Sequence, residues 1–151
     1  MSQANAIFNN SRLIYKFKQL LMNASDCILE IYNLSNFDIT IKSDNSPVTK
    51  ADIAAHTLLF NGLSSITPTI PVISEEDNES LLISRFHSTY WLIDPLDGTY
   101  NFTRKFPVVG ISIAFFDNGK PVLGLVQDIF NKNIYHSEAG RGSKKNGFKI
   151  K

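Results

Sequence analysis

The chain has 151 residues, 43% of them hydrophobic, and a formal net charge of +1. That is enough apolar material for one folded domain with a real core, and too much for a disordered chain. The near-neutral balance gives no general pull toward nucleic acid polymers or acidic partners, the single cysteine, Cys27, excludes an internal disulfide, and no apolar run approaches the ~18 residues a membrane span needs. The polar stretch from Met1 to Asn10 lacks the basic-then-apolar pattern of a signal peptide. The expected location is therefore cytoplasmic.

Residues 11–32 place Leu13, Ile14, Phe17, Leu20, Leu21, Ala24, Cys27, Ile28 and Ile31 at three-and-four spacing. This predicts an amphipathic helix with Ser11 as its N-cap. A short strand over Asp38–Lys42 follows, with Ile39 and Ile41 on one side. After the loop Ser43-Asp44-Asn45-Ser46-Pro47, Thr49 or Asp52 opens a second helix running to about Leu63. Ile53, Ala55, His56, Leu59 and Phe60 are available to its buried face. Ile70–Ile73 reads as a strand, residues 79–86 as a weak helix, and Trp91–Asp94 as a central strand. A short helix is expected from Gly98 onward. Val108–Phe116 and Pro121–Ile129 read as two long strands joined by Asp117-Asn118-Gly119-Lys120, because Asn-Gly between apolar runs is a hairpin signal. Asn133–Ser137 and Lys144–Ile150 read as two further strands. Helices first and a strand-rich meander after them predict an α+β fold, with two long helices packed on a mostly antiparallel sheet.

The densest chemistry lies in Asp94-Pro95-Leu96-Asp97-Gly98-Thr99, with Glu75 upstream. Two carboxylates, a carbonyl and a Gly-Thr step follow directly on an apolar strand. Hard oxygen donors gathered in this way suit magnesium, which keeps several waters and takes its remaining ligands from carboxylates and substrate phosphate. On an unbroken strand Asp94 and Asp97 would face opposite sides, so a turn at Pro95 is expected to bring them to one locus. A helix opening at Thr99 would offer free amides to a phosphate. His56 reads as a satisfied core or surface histidine, and His87 and His136 have no partners at metal-ligand spacing. The basic end (Arg141, Lys144, Lys145, Lys149, Lys151) reads as a solvated face. Phe102, Phe106, Phe115 and Phe116 read as packing residues.

Glu75-Glu76 followed by Trp91-Leu92-Ile93-Asp94-Pro95-Leu96-Asp97-Gly98-Thr99 resembles the lithium-sensitive, magnesium-dependent inositol monophosphatase superfamily. Ser46-Pro47-Val48-Thr49-Lys50-Ala51-Asp52-Ile53-Ala54-Ala55-His56 and Asn118-Gly119-Lys120-Pro121-Val122-Leu123-Gly124 look like its 3'(2'),5'-bisphosphate nucleotidase branch, the CysQ type. Tyr100-Asn101-Phe102 and Phe106-Pro107-Val108-Val109 lean toward the inositol monophosphatase branch. The resemblance runs from about residue 11 to the end.

The resemblance implies a Mg2+-dependent phosphate monoester hydrolase whose substrate is a nucleotide bisphosphate or an inositol phosphate. Glu75 and Asp94, with the Leu96 carbonyl, would bind a first metal, and Asp94 and Asp97 a second. Thr99, hydrogen-bonded to Asp52, would orient and deprotonate the attacking water. The Gly98 and Thr99 amides would hold phosphate, with Lys42 a weaker match nearby and Glu76 supporting the site. Members of the family continue into a second αβ domain, which supplies another aspartate from a Trp-Asp motif. Here Trp91 is the only tryptophan, and Glu138 is the only acidic residue after Asp128. The expectation is that residues 1–151 form the N-terminal half of the layered fold, without the second domain. A homodimer, a complementing C-terminal fragment and a non-catalytic remnant all remain open readings.

Overall fold

The computed structural model describes residues 3–151. Its first element, α1 (Gln3–Phe8), lies in the stretch that carried no helical expectation. Met1 and Ser2 fall outside the described residues. The short helix is held by tertiary contacts that periodicity does not register. Ala4 and Ile7 are buried, and the Ala4 amide donates to Asp117 Oδ2 at 3.2 Å.

Helix α2 (Ser11–Tyr32) buries Ile14, Phe17, Leu21, Ala24 and Ile28 along one face, as the spacing predicts. Its cap is Asn10 and not Ser11: the Asn10 side chain accepts from the Leu13 amide at 3.1 Å. After β1 (Thr40–Ile41) and β2 (Pro47–Val48), α3 spans Lys50–Ile66. Ile39 and Ile41 face solvent, because this two-stranded ribbon pairs only with itself.

Seven strands form the main sheet in the order β3 (Val72–Ser74), β4 (Tyr90–Asp97), β5 (Gly110–Asp117), β6 (Lys120–Asp128), β7 (Asn133–Glu138), β8 (Gly142–Lys145) and β9 (Phe148–Ile150). Only β3–β4 is parallel. A 3₁₀ helix, Ser80–Arg85, fills the β3–β4 crossover, and α4 (Thr99–Thr103) follows β4. The β5–β6 turn has Asn118 at φ 53° and Gly119 at φ 73°, the two positive values that a tight primed hairpin needs. The final expected strand is really a hairpin, broken by Asn146 and Gly147, both at positive φ.

Alternation decides which face holds the core. Trp91, Phe115 and Leu123 make one cross-strand row, and Ile93, Ile113 and Leu125 make the next, all buried under α2 and α3. The Phe17 ring meets Trp91 edge-on at 4.8 Å, and Trp91 Nε1 donates to Thr67 Oγ at 2.9 Å. Removing the Trp91 side chain would cost about 3–5 kcal/mol. The opposite face carries Leu92, Ala114 and Gly124 in one row and Asp94, Ser112 and Val126 in another. No helix of the described chain packs across that second face, and Leu92 and Val126 are exposed there. Nor is any helix long and apolar enough to cross a membrane.

Candidate active site

The site begins with a helix cap. Thr49 is the N-cap of α3, and its hydroxyl accepts from the Ala51 amide at 3.1 Å. Asp52 completes the capping box: its Oδ2 receives the Thr49 amide at 2.7 Å and the Thr49 hydroxyl at 2.6 Å. Asp52 is fully buried, so a carboxylate there needs partners for both oxygens. Oδ1 receives the Thr99 hydroxyl at 2.8 Å. One residue thus starts the helix and holds the start of α4.

Asp94 and Asp97 come to line the same cleft by a route the sequence did not indicate. Strand β4 does not turn away at Pro95 but runs on to Asp97. Its pairing moves from Asp94–Ser112 to Asp97–Gly110, so three steps on β4 match two on β5. One residue is bulged. An extra residue changes the parity of the strand, and side chains three apart then fall on the same side. Pro95, which has no amide to contribute to a ladder, is tolerated at such a bulge. Gly98 then takes φ 95°, and a Cβ there would sit 2.9 Å from the Val108 carbonyl oxygen. Both the conformation and the close approach require glycine.

Glu75 enters from the end of β3, next to β4, with its amide donating to the Ile93 carbonyl at 3.2 Å. Its neighbour Glu76 has a different role. The Glu76 side chain is buried against Lys42 Nζ at 2.8–2.9 Å. Burial works against the Lys42 ammonium, but the hydrogen bond and charge of Glu76, backed by Glu75 and Asp52, outweigh it and raise its pKa. Lys42 lines the cleft with its ammonium committed to Glu76.

A cleft of about 310 Å³ is lined by Lys42, Glu75, Asp94, Leu96, Asp97, Gly98 and Thr99, which are all of the expected site residues except buried Asp52 behind it. Ser46, Pro47, Tyr100 and Asn101 also line it; they belong to the motifs quoted above but carried no expected role in the site. Tyr100 Oη donates to the Asn45 carbonyl at 3.2 Å and ties the β1–β2 loop to α4.

The carboxylates crowd each other. Burial, then the charge and hydrogen bond of Glu75, then the charge of Asp97, push Asp94 up to about 7. Asp94 Oδ1 is buried without a hydrogen-bond partner. An orphaned carboxylate oxygen pressed against a second carboxylate fits a divalent cation, which would satisfy the atom and relieve the repulsion. Asp97 stands farther out. Among the described residues no group of three or more His, Cys, Asp or Glu side chains converges closely enough to hold an ion on its own. Glu75, Asp94 and the Leu96 carbonyl are the donors that could hold one here, with water and substrate oxygens completing the shell.

Residues 9–151 match the model of the inositol monophosphatase family. The chain belongs to that family. It is 43% identical over 127 residues to the 3'(2'),5'-bisphosphate nucleotidase CysQ of Escherichia coli O6:H1, an alignment covering 83% of this chain and 52% of that protein. Among solved structures, the extragenic suppressor protein suhB of Bartonella henselae superposes with a TM-score of 0.82 at 27% identity, over 93% of this chain and 54% of that one. CysQ of Bacteroides thetaiotaomicron gives 0.70 at 34% identity, over 83% and 45%. The chain spans about half the length of the curated relatives it matches.

Proposed function

We propose that this chain carries the cation- and phosphate-binding half of a phosphoric monoester hydrolase. Its substrate would be a small phosphorylated metabolite, foremost adenosine 3',5'-bisphosphate, which hydrolysis converts to AMP and phosphate. The observation that carries the reading is the Thr99–Asp52 hydrogen bond at 2.8 Å beside the strained Asp94–Glu75 pair. The likeness to the CysQ nucleotidase supports the choice of substrate, with inositol monophosphate as the alternative.

The residues divide the work as follows. Glu75, Asp94 and the Leu96 carbonyl would hold Mg2+, and Asp94 with Asp97 would serve a second ion. Bound magnesium would neutralise phosphate charge and make water more acidic. Thr99 Oγ, with its own hydrogen given to Asp52, has lone pairs free to accept a proton from a water in the cleft. Its hydrogen then moves to Asp52 Oδ1, so one proton leaves the water and one arrives on the carboxylate. The Gly98 and Thr99 amides orient the phosphate.

A second reading is favoured by the uncovered sheet face beside the cleft, together with the greater length of the relatives. In it, the half-site binds a cation but turns over only beside a complementing polypeptide. Phosphate release by the 151-residue chain with Mg2+ tests both, offering the two substrates side by side and Asp94→Asn as control. Release that vanishes in the variant supports the first reading, and the preferred substrate fixes the branch. A folded, cation-binding chain with no release supports the second, and a folded chain that binds no cation overturns both.

A further inference from the structure

We propose that His56 is a positioning residue of this site, acting through Ser74 to fix the turn from which Glu75 is presented. The inference rests on the cation-binding reading above. His56 lies four residues after Asp52 on α3, so the two side chains share one face of the helix. Asp52 holds Thr99 on one side of the cleft. On the other side, His56 Nδ1 lies 2.7 Å from Ser74 Oγ.

Ser74 is fully buried and immediately precedes Glu75. Its hydroxyl accepts the Glu76 amide at 3.3 Å. A hydroxyl has one hydrogen to give, and among the described residues His56 Nδ1 is the acceptor in reach. With the Ser74 hydroxyl as donor, the chain runs Glu76 N–H to Ser74 Oγ to His56 Nδ1.

The rest of the turn is stitched to itself. Ser80 Oγ receives the Ser74 amide at 3.0 Å and donates to the Asp77 carbonyl at 2.7 Å. That network sets the shape of the turn. Within this hydrogen-bond network, His56 is the link from α3, so it sets the position of the turn relative to Asp52 and Thr99. Phe60, one helical turn on, flanks the imidazole with ring centroids 5.5 Å apart and limits its rotation. One face of α3 thus fixes the spacing between the Glu75 segment and the Asp97–Thr99 segment.

The test uses the whole 151-residue chain with His56→Leu, which removes the acceptor, and His56→Asn, which restores one near the Nδ1 position. Two readouts are taken: Mn2+ affinity by titration, and amide hydrogen exchange at Glu75 and Glu76 without metal. His56→Leu should weaken Mn2+ binding by about tenfold or more, the usual effect of losing a residue that orients a metal ligand. It should also speed exchange at Glu76 while amides in the middle of β5 stay protected. His56→Asn should recover both. Unchanged exchange and affinity in His56→Leu overturn the proposal, as does equal damage in the two variants. If the wild-type chain takes up no Mn2+, the cation reading fails, and exchange at Glu76 still decides whether His56 positions the turn.

Discussion

Thr99 Oγ donates to Asp52 Oδ1 at 2.8 Å although the two residues lie 47 positions apart. The same hydroxyl lies 3.3 Å from the Leu96 carbonyl, so the stronger and shorter contact is to the carboxylate. In the proposed hydrolase the lone pairs of Thr99 would be the proton-accepting end of a relay to Asp52. Thr99→Ala should leave Mn2+ affinity unchanged and lower phosphate release by about 100-fold, a typical loss for a proton-transfer group. Thr99→Ser should retain most of the rate. A parallel fall in affinity and rate would make Thr99 a clip that shapes the cleft, and not a proton carrier.

Asp94 gives a pH prediction with a definite sign. Its carboxyl titrates at about 7 in the folded chain, against about 3.9 in an unfolded one. The folded state therefore holds this proton more tightly. The contribution to stability is fully present below the unfolded value, and is lost as pH rises toward 7. The group is partly open to water, so screening reduces the effect to about 1 kcal/mol, or about 2–4 °C in melting temperature. Asp94→Asn removes the titration. In metal-free buffer the variant should gain on wild type by most of that amount between pH 5 and pH 8, read as paired thermal melts. Equal offsets at both pH values would mean that Asp94 is not the strained group.

Much of this fold is legible in the sequence, and the exceptions share a cause. The apolar spacing of α2 and the Asn118-Gly119 turn are local signals, and both elements form where those signals lie. Helix α1 is too short for periodicity and depends on Asp117, more than a hundred residues away. The Pro95–Leu96 bulge shows only when β4 is laid against β5, since parity is a property of the pair. Lys42 and Glu76 are expected near the site from the resemblance, but their pairing with each other shows only in the fold. Arg141 likewise looked like part of a solvated basic end, yet it bonds the Phe8 carbonyl, Asn9 and Glu138. His136, for which no metal-ligand partner is expected, is buried with Nε2 2.9 Å from Glu138 Oε1, a contact that local spacing does not announce. The candidate site itself was legible because its residues cluster in short motifs. The contribution of α3 to the spacing of those motifs was not.

Gly98 should be the least replaceable residue of the cleft wall. Alanine there must adopt φ 95° and place its Cβ 2.9 Å from the Val108 carbonyl oxygen. Backbone strain of this kind costs about 1–3 kcal/mol, and the contact adds to it. Denaturant unfolding of Gly98→Ala should show at least that loss with an unchanged m-value. Gly119→Ala also sits at positive φ but meets no atom within 4 Å, so it should cost less. Equal losses at the two positions would show that φ alone sets the penalty and that the approach of Val108 is unimportant.

The uncovered sheet face predicts how the chain behaves in solution. Leu92 is 38% exposed and Val126 44%, while Ile93, Leu125 and their neighbours on the opposite face are sealed under helices. Ala114 and Gly124 continue the row of Leu92 and, being small, leave this face open to close approach. A contiguous apolar patch on a small protein promotes association. The wild-type chain should therefore show a sedimentation coefficient that rises with concentration. The double substitution Leu92→Lys and Val126→Lys should hold it at the monomer value. Because both side chains are already half in water, stability should change by only about 0.5 kcal/mol per site. Sedimentation that is flat for both proteins would show that this face tolerates water without a covering partner.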